Sequence, residues 1–131
     1  MESEPAPLDI RIETYERAIV VVVGGQIDLY NDRKLGEALE RLYDAGHNHL
    51  VLDMSGVPFV DSAGFGLLIS SQKRFRARGG QIICAQVPKN VQSVVKLSRL
   101  QDFIRIYPSR GDALQALEDL ESARESPGGS A

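Results

Sequence analysis

The hydrophobic and polar positions at the start of the chain predict two β-strands. Residues 9–13 alternate between polar and apolar side chains, a period of two that is typical of a half-exposed strand. Residues 18–23 are continuously apolar and mostly β-branched, which indicates a strand covered on both faces. Only a short polar stretch separates the two, so we expect a hairpin with the first strand at the edge of a sheet.

A helical period begins at residue 31. Between residues 31 and 45, apolar side chains recur every three or four positions, as in a helix that packs one face on a core. The remaining pattern predicts helices at about 62–78, 88–97 and from 109 onward, and strands at 49–53, 81–85 and 104–107. Helices placed between buried strands predict an α/β domain with a mixed, mostly parallel sheet of about five strands, flanked by about four helices in the order ββαβαβαβα.

The patterned region occupies most of the 131 residues. We predict a flexible N-terminal segment at residues 1–7, one domain at residues 8–121 and a disordered, polar tail at residues 122–131. A domain of this size can bury a core without disulfides or metals. The single cysteine, Cys84, stands among apolar neighbours and is interpreted as a buried core thiol rather than a nucleophile.

Composition narrows the class of protein. A formal net charge of −3 gives no indication of a protein that binds nucleic acid or an anionic membrane. The longest purely apolar run, at residues 18–23, is far shorter than the roughly 20 residues that span a bilayer. The acidic N-terminus lacks the features of a secretory signal. We therefore expect a cytoplasmic protein without direct contact to nucleic acid or membrane.

Polar residues that follow the predicted strands are the candidates for function. In open α/β sheets, binding sites gather beyond the carboxyl ends of the parallel strands. Asp28, Asp53, Asp61 and Ser62 occupy such positions, and we expect them to share one edge of the sheet if neighbouring strands align. Taken singly, each is also an ordinary cap of a turn or a helix.

The segment VDSAGFG at residues 60–66 is unusual for the start of a helix. With Ser62 as the N-cap, Gly64 and Gly66 fall in the first turns, although glycine costs about 0.8–1 kcal/mol relative to alanine within a helix. Packing against a strand would explain one glycine, but two together leave backbone amides open to close approach by a partner. A helix N-terminus also favours negative charge, so the fold should tolerate a phosphate on Ser62.

Three mechanisms compete for this edge. A serine hydrolase needs a G-x-S-x-G turn and a base, but Val60 stands where glycine is required, and the two histidines, His47 and His49, precede the third strand at the opposite end of the sheet. A receiver-like domain phosphorylated on Asp53 needs an acidic pair after its first strand and a lysine after its last strand. Here residues 13–16 after the first strand lead into a hairpin rather than a helix, and the last strand is followed by Arg110 instead of a lysine. A binding module switched by phosphorylation of Ser62 lacks nothing, so we do not expect an enzyme.

Several segments resemble the STAS domain of anti-sigma factor antagonists. They are GGQIDLYNDRKLGEAL, LVLDMSGVPFVDSAGFGLLI, LSRLQDFIRIY and YPSRGDALQAL, and the similarity covers about residues 8–120. Its most specific part is D-S-x-G-x-G at residues 61–66, a short turn after L-x-L-D-x-S-G. G-x-I-D at residues 25–28 is a second match in the right order.

The resemblance implies a partner-switching role. In that family the unmodified protein binds an anti-sigma factor of the serine-kinase type, which frees the sigma factor to engage RNA polymerase. The kinase uses its own ATP to phosphorylate the serine that corresponds to Ser62, and the complex dissociates until a separate PP2C-type serine phosphatase resets it. The chain itself needs no cofactor or metal. The implied partner-binding residues are Gly25, Asp28, Asp61, Ser62, Ala63, Gly64, Phe65 and Gly66.

The sequence also departs from the family. Ala63 stands where many relatives carry Thr or Ser, which leaves Ser62 as the single hydroxyl of the turn. Phe65 replaces the more usual Leu and should alter the contact surface, and Ser98-Arg99 replaces Thr-Gly with no function attached to it. STAS domains also occur in sulfate transporters, stress-sensing assemblies and lipid-transport complexes. A regulatory or scaffold subunit without a sigma-factor role is therefore the alternative.

Overall fold

The computed structural model describes residues 7–16 and 18–125. Its strands are β1 (Asp9–Thr14), β2 (Ile19–Gly24), β3 (His49–Gly56), β4 (Gln81–Ala85) and β5 (Ile106–Tyr107). Its helices are α1 (Asp32–Asp44), α2 (Ser62–Ala77), α3 (Lys89–Leu97) and α4 (Arg110–Glu125). This order confirms the predicted α/β arrangement of five strands and four helices.

The strands form one mixed sheet in the order β1-β2-β3-β4-β5. β1 and β2 are antiparallel, as the predicted hairpin requires, and β1 lies at the edge of the sheet. The other neighbouring strands are parallel, so the carboxyl ends of β2, β3 and β4 point to the same edge. The register between β2 and β3 shifts between Val22 and Gly24, so that Gly24 pairs with Gly56.

The two faces of the sheet carry separate apolar layers. Because side chains alternate along a strand, one face packs against α1, α2 and α3 and the other against α4 alone. In β3, Leu52 belongs to the first layer and Val51 to the second. Cys84 is buried in the first layer, and burial raises the pKa of its thiol to about 12, which agrees with a core cysteine.

A buried amide completes the sheet where β5 is too short to pair with all of β4. Gln72 of α2 accepts a hydrogen bond from the backbone amide of Ile82 at 2.8 Å and donates to its carbonyl at 2.8 Å. The same side chain also donates to the carbonyl of Phe103 at 3.0 Å. Gln72 is only 1% exposed, and its hydrogen bonds satisfy backbone groups that would otherwise be buried without partners.

Several element boundaries differ from the predicted ones. β3 continues to Gly56 rather than ending at residue 53, and β5 begins at Ile106 rather than at residue 104. α4 continues to Glu125, past the predicted domain end at residue 121, whereas residues 1–6 and 126–131 of the predicted flexible ends lie outside the described residues. Val94 of α3 and Leu120 of α4 are each 40% exposed, although both are apolar.

The helices of the described residues, 7–16 and 18–125, give no candidate for crossing a membrane, because none is both long and apolar enough.

α4 is attached to the sheet through a charged group at its first turn. Arg110 donates to Asp53 of β3 at 2.9 Å and to Glu13 of β1 at 2.8 Å. Burial alone would raise the pKa of Asp53, which is 2% exposed. Hydrogen bonds from Ser55 and Arg110, together with the charge of Arg110, outweigh burial and lower the pKa of Asp53 below its ordinary value.

Protonation of Asp53 should therefore destabilise the fold in acid. Because folding lowers this pKa, the carboxylate stabilises the fold above its unfolded pKa of about 3.9, and the contribution disappears as the pH falls through the folded-state pKa. We expect Asp53→Asn to lower the free energy of unfolding by about 1–3 kcal/mol at neutral pH. The difference from the wild type should shrink below about pH 4.

Urea unfolding at a series of pH values measures this effect. Asp44→Asn, at an exposed position on α1, is the control and should change the free energy of unfolding by less than about 0.5 kcal/mol. A loss in Asp53→Asn that stays constant from neutral pH to about pH 2 would contradict the assigned role of the carboxylate.

Candidate functional site

Two loops beyond the carboxyl ends of β2 and β3 are joined by backbone hydrogen bonds. The amide of Gly25 donates to the carbonyl of Gly56 at 2.9 Å, and the amide of Ile27 donates to the carbonyl of Phe59 at 3.0 Å. Ile27 and Val60 form a parallel bridge, so the ladder between β2 and β3 resumes after the register shift. Gly25 has a φ of +112°, a region that favours glycine, which gives it a role in the turn.

Asp61 connects these loops to α2. Its carboxylate accepts from the amide of Gly64 at 2.9 Å and from the amide of Leu29 at 3.0 Å. Asp61 is therefore the N-cap of α2 and Ser62 is the first helical residue, so the prediction of Ser62 as the N-cap is wrong. One carboxylate holds both the start of the helix and the loop after Asp28, because it has two oxygens that accept hydrogen bonds.

Ser62 is exposed at the start of α2. Within the residues that the structure describes, its hydroxyl makes no hydrogen bond, and the backbone amides of Ser62 and Ala63 donate to no protein group. Free amides in the first turn of a helix stabilise a nearby anion. The hydroxyl is therefore accessible to a modifying enzyme, and the local backbone is suited to a phosphate.

Packing requires glycine at one of the two glycine positions of this turn but not at the other. A β-carbon on Gly64 would lie 2.5 Å from the carbonyl oxygen of Ile27 and 2.7 Å from Val60, so Gly64 is required by packing. A β-carbon on Gly66 would meet no atom within 4 Å, and Gly66 is exposed. The predicted opening of the helix to a partner therefore rests on Gly66 alone.

Two residues predicted on the contact surface lie in the core instead. Gly64 is buried, and Phe65 is 6% exposed among the apolar side chains between α2 and the sheet. Replacing the usual leucine by Phe65 thus changes core packing rather than the surface. Ala63 is half-buried beside Ser62 and remains within reach of a partner.

Asp28 shapes the loop before α1. Its carboxylate accepts from the amides of Tyr30 and Asn31, each at 3.0 Å, and its carbonyl accepts from the amide of Asp32 at 2.8 Å. Asn31 is the N-cap position of α1 but makes no side-chain cap bond, and its side-chain amide donates to the carbonyl of Gln26 at 3.2 Å. A direct contact of Asp28 with a partner stays a prediction.

The turn at Asp28 exposes apolar side chains that are not among the predicted partner-binding residues. Leu29 is 69% exposed and Tyr30 is 77% exposed, although both are large and apolar or aromatic. Phe59, on the neighbouring loop, is 48% exposed. The sequence does contain a signal for these residues. Leu29 and Tyr30 directly follow I-D, Phe59 directly precedes V-D-S, and none of them fits a helical or strand period. We name the surface formed by Asp28, Leu29, Tyr30, Phe59, Ser62, Ala63 and Gly66 the Ser62 edge.

Asp53 does not belong to the Ser62 edge, contrary to the prediction. It alternates with Leu52 along β3 and faces α4, where it binds Arg110, whereas α2 lies on the other face. Its burial and its hydrogen bonds leave no accessible oxygen for a phosphoryl group, which removes the basis of the receiver-like alternative. His49 pairs with Gln81 at the start of the parallel strands, so it lies at the end of the sheet opposite Ser62.

Comparisons with known proteins identify the family of the chain. A family model, the STAS domain, matches residues 9–113. The chain is 26% identical over 115 residues to the anti-sigma F factor antagonist of Paenibacillus polymyxa, an alignment that covers 85% of this chain and 96% of the relative.

Solved structures share the fold. An anti-sigma factor antagonist from Mycobacterium paratuberculosis superimposes with a TM-score of 0.77 at 23% identity, over 85% of this chain and 94% of that one. The anti-sigma factor antagonist SpoIIAA in its unphosphorylated form gives 0.71 at 18% identity, over 85% and 97%, and its phosphorylated form from Bacillus gives 0.65. The matched family model covers most of the sheet and its helices, and the chain belongs to the STAS domain family.

Proposed function

We propose that this chain is an anti-sigma factor antagonist. Its unphosphorylated form binds a serine-kinase-type anti-sigma factor through the Ser62 edge, and phosphorylation of Ser62 releases that partner. The observation that carries the proposal is the exposed, unbonded hydroxyl of Ser62 beside exposed apolar side chains. The role of the named relatives supports it, and it is the role of a regulator rather than of an enzyme.

The Ser62 edge has the composition of a protein-binding surface. Leu29, Tyr30 and Phe59 expose large apolar areas, and burying one such side chain contributes roughly 1.5–3 kcal/mol. Protein interfaces often depend on a few aromatic or apolar anchors surrounded by polar residues. Asp28 and Asp61 hold the loop and the helix that carry these anchors, so the surface is formed before the partner arrives.

Phosphorylation changes this surface at its centre. A phosphate on Ser62 brings about −1.5 to −2 charges to a surface that already carries Asp28 and lies next to Asp61. In the complex, that charge would be desolvated against apolar groups or would face a carboxylate. Two like unit charges 4 Å apart repel each other by about 1 kcal/mol in water and by about 4 kcal/mol at an effective dielectric near 20. A penalty of a few kcal/mol corresponds to a roughly 10²–10³-fold loss of affinity.

The free protein is suited to the modified state. The unpaired amides of Ser62 and Ala63 and the dipole of α2 favour a phosphate by about 0.3–1 kcal/mol. Phosphorylation would therefore weaken the complex without unfolding the domain. The phosphorylated and unphosphorylated structures of SpoIIAA, which share this fold, support such a two-state cycle.

The cycle also defines the other components. The proposed kinase uses its own ATP, so this chain requires no cofactor, and a PP2C-type serine phosphatase returns it to the binding form. The proposal places the chain in the cytoplasm, where the sigma factor acts. If no serine-kinase partner binds, a STAS subunit of a stress-sensing or lipid-transport assembly becomes the better assignment.

The first prediction of the proposal concerns Ser62. Ser62→Ala should bind the kinase-type anti-sigma factor of the same organism as tightly as the unmodified chain and should accept no phosphate. Ser62→Asp should bind more weakly than Ser62→Ala but more tightly than the phosphorylated chain, because a carboxylate carries less charge than a phosphate. Incubation with the kinase and ATP, followed by intact mass measurement and titration calorimetry, tests both.

Ser70→Ala, at an exposed serine of the same helix, is the matched control and should still be phosphorylated. Phosphate uptake by Ser62→Ala would refute the assignment of the phosphorylation site to Ser62.

A second prediction separates the two glycines. Gly66→Ala should fold as stably as the wild type or more stably, by up to about 1 kcal/mol, because the added methyl group meets no neighbour. Its affinity for the kinase should fall, because the methyl group covers backbone that the partner approaches. Gly64→Ala should instead lower the free energy of unfolding by about 1–3 kcal/mol through its clash with Ile27. Thermal unfolding and calorimetry distinguish the variants, and an unchanged affinity of Gly66→Ala would place the partner elsewhere.

A further inference from the structure

The net charge of −3 conceals an uneven distribution of charge along the chain. Residues 62–109 contain eight of the fifteen Lys and Arg residues but only one of the eighteen Asp and Glu residues, Asp102. These residues form α2, β4, α3 and β5, and β4 among them is buried. The excess positive charge therefore lies on the outer sides of α2 and α3 and on the loop between α3 and β5.

Part of this charge is gathered around Phe103 by the second half of α2. Lys73 and Arg76 lie over the ring of Phe103, with their charged groups 5.3 and 5.8 Å from its centroid. Arg76 also donates to the backbone carbonyl of Asp102. α2 is thereby joined to the loop that precedes β5.

Three more cations continue this surface from the end of α3. Lys96 and Arg105 line one groove together with Asp102, and the amide of Arg99 donates to the carbonyl of Lys96. Within residues 7–16 and 18–125, the side chains of Lys96, Arg99 and Arg105 are exposed and form no ion pair or hydrogen bond. We name the surface formed by Lys73, Arg76, Lys96, Leu97, Arg99 and Arg105 the basic surface.

An exposed apolar side chain lies between Lys96 and Arg99 along the chain. Leu97 is 85% exposed, the most exposed of the large hydrophobic residues in the described part of the chain, and Val94 is 40% exposed one turn earlier on α3. An exposed leucine next to Lys96 and two positions before Arg99 gives the surface an apolar contact as well as positive charge, a combination found in protein interfaces.

Arg99 has an unusual backbone conformation. Its φ is +55°, in the left-handed region where glycine is the ordinary residue at the end of a helix. A residue with a β-carbon is uncommon there, because its side chain crowds the backbone. The arginine therefore carries a conformational cost that glycine would avoid.

We propose that the basic surface is a second docking site, which binds an acidic segment of a partner protein with an apolar side chain between its carboxylates. The cations match the carboxylates, and Leu97 matches the apolar anchor. The observations favour a protein over a nucleic acid, because Phe103, the one aromatic ring among these side chains in the described residues, is half-buried under Lys73 and Arg76 and offers no free face for a base.

The basic surface and the Ser62 edge lie toward opposite ends of α2. Arg76 is fourteen positions after Ser62, which corresponds to roughly 21 Å along the helix axis. The end of α2 leads into β4 at Gln81, which pairs with His49 at the start of β3, whereas Ser62 follows the end of β3. The two surfaces can therefore be occupied at the same time, and binding at the basic surface is independent of phosphorylation at Ser62.

Fluorescence anisotropy with a short labelled peptide of alternating glutamate and leucine tests the proposal at low salt. The combined variant Lys96→Gln, Arg99→Gln, Arg105→Gln should bind this peptide roughly tenfold more weakly than the wild type. Leu97→Ser should weaken binding of this peptide but not of a poly-glutamate peptide. A twin peptide with glutamine in place of glutamate should show no binding.

A second combined variant, Arg11→Gln, Arg33→Gln, Arg41→Gln, is the matched control. It removes the same number of exposed charges from β1 and α1 and should leave the peptide affinity unchanged within about twofold. Arg99→Gly should raise the melting temperature, because it relieves the left-handed conformation, while it weakens peptide binding. Since this variant folds at least as well as the wild type, its loss of binding cannot come from unfolding.

The remaining outcomes each decide the proposal. No binding of the acidic peptide, or equal loss in the two combined variants, would overturn it. Tighter binding of duplex DNA or of phosphatidylserine vesicles than of the peptide would assign the surface to nucleic acid or membrane instead. Self-association in sedimentation that the Lys96, Arg99, Arg105 variant abolishes would assign it to a second copy of the chain. Ser62→Asp should bind the peptide like the wild type, so failure here and failure of the Ser62 switch are separate results.

Discussion

The functional edge of this STAS domain depends on the backbone ladder that resumes beyond β2 and β3. The pairing of Ile27 with Val60, together with the hydrogen bond from the amide of Asp61 to the carbonyl of Ile27, holds two loops at a fixed distance. Gly64 must lack a side chain because α2 begins directly on this ladder. Asp61 then ties the loop after Asp28 to the helix, so that Ser62, Leu29 and Tyr30 form one surface. In the proposed switch, a phosphate on Ser62 would act on a surface that is already assembled.

The two faces of the sheet divide the acidic residues into separate roles. Asp53 faces α4 and is neutralised by Arg110, so it stabilises the packing of the last helix. Asp28 and Asp61 face loops and satisfy backbone amides, which stabilises the loop before α1 and the start of α2. The charge of α2 is divided as well, since its first turn favours an anion and its second half carries Lys73 and Arg76. One helix thus contributes to two separate surfaces, and both of them favour negative charge.

Much of the fold follows from the sequence because its hydrophobic periods are clear, as in residues 18–23 and in α1. The error at Asp61 arose because Asp and Ser are both good N-caps, and only the loop contact to Leu29 decides between them. Phe65 was misplaced because α2 is apolar on more than one side, so its pattern does not reveal which face is buried. The position of Asp53 could have been predicted from the sequence. Neighbouring residues of a strand face opposite sides of the sheet, so Asp53 faces away from the layer that contains Leu52. The exposure of Leu29 and Tyr30 follows no period and required the structure.

The central claim is that the partner binds the Ser62 edge in its unphosphorylated state. Amide chemical-shift mapping of the labelled chain during titration with the kinase-type anti-sigma factor tests it most directly. The account predicts that the largest changes occur at Leu29, Tyr30, Ser62 and Gly66, and that prior phosphorylation of Ser62 abolishes them. Changes confined to α4 and the far end of the sheet, or a titration unaffected by phosphorylation, would contradict it.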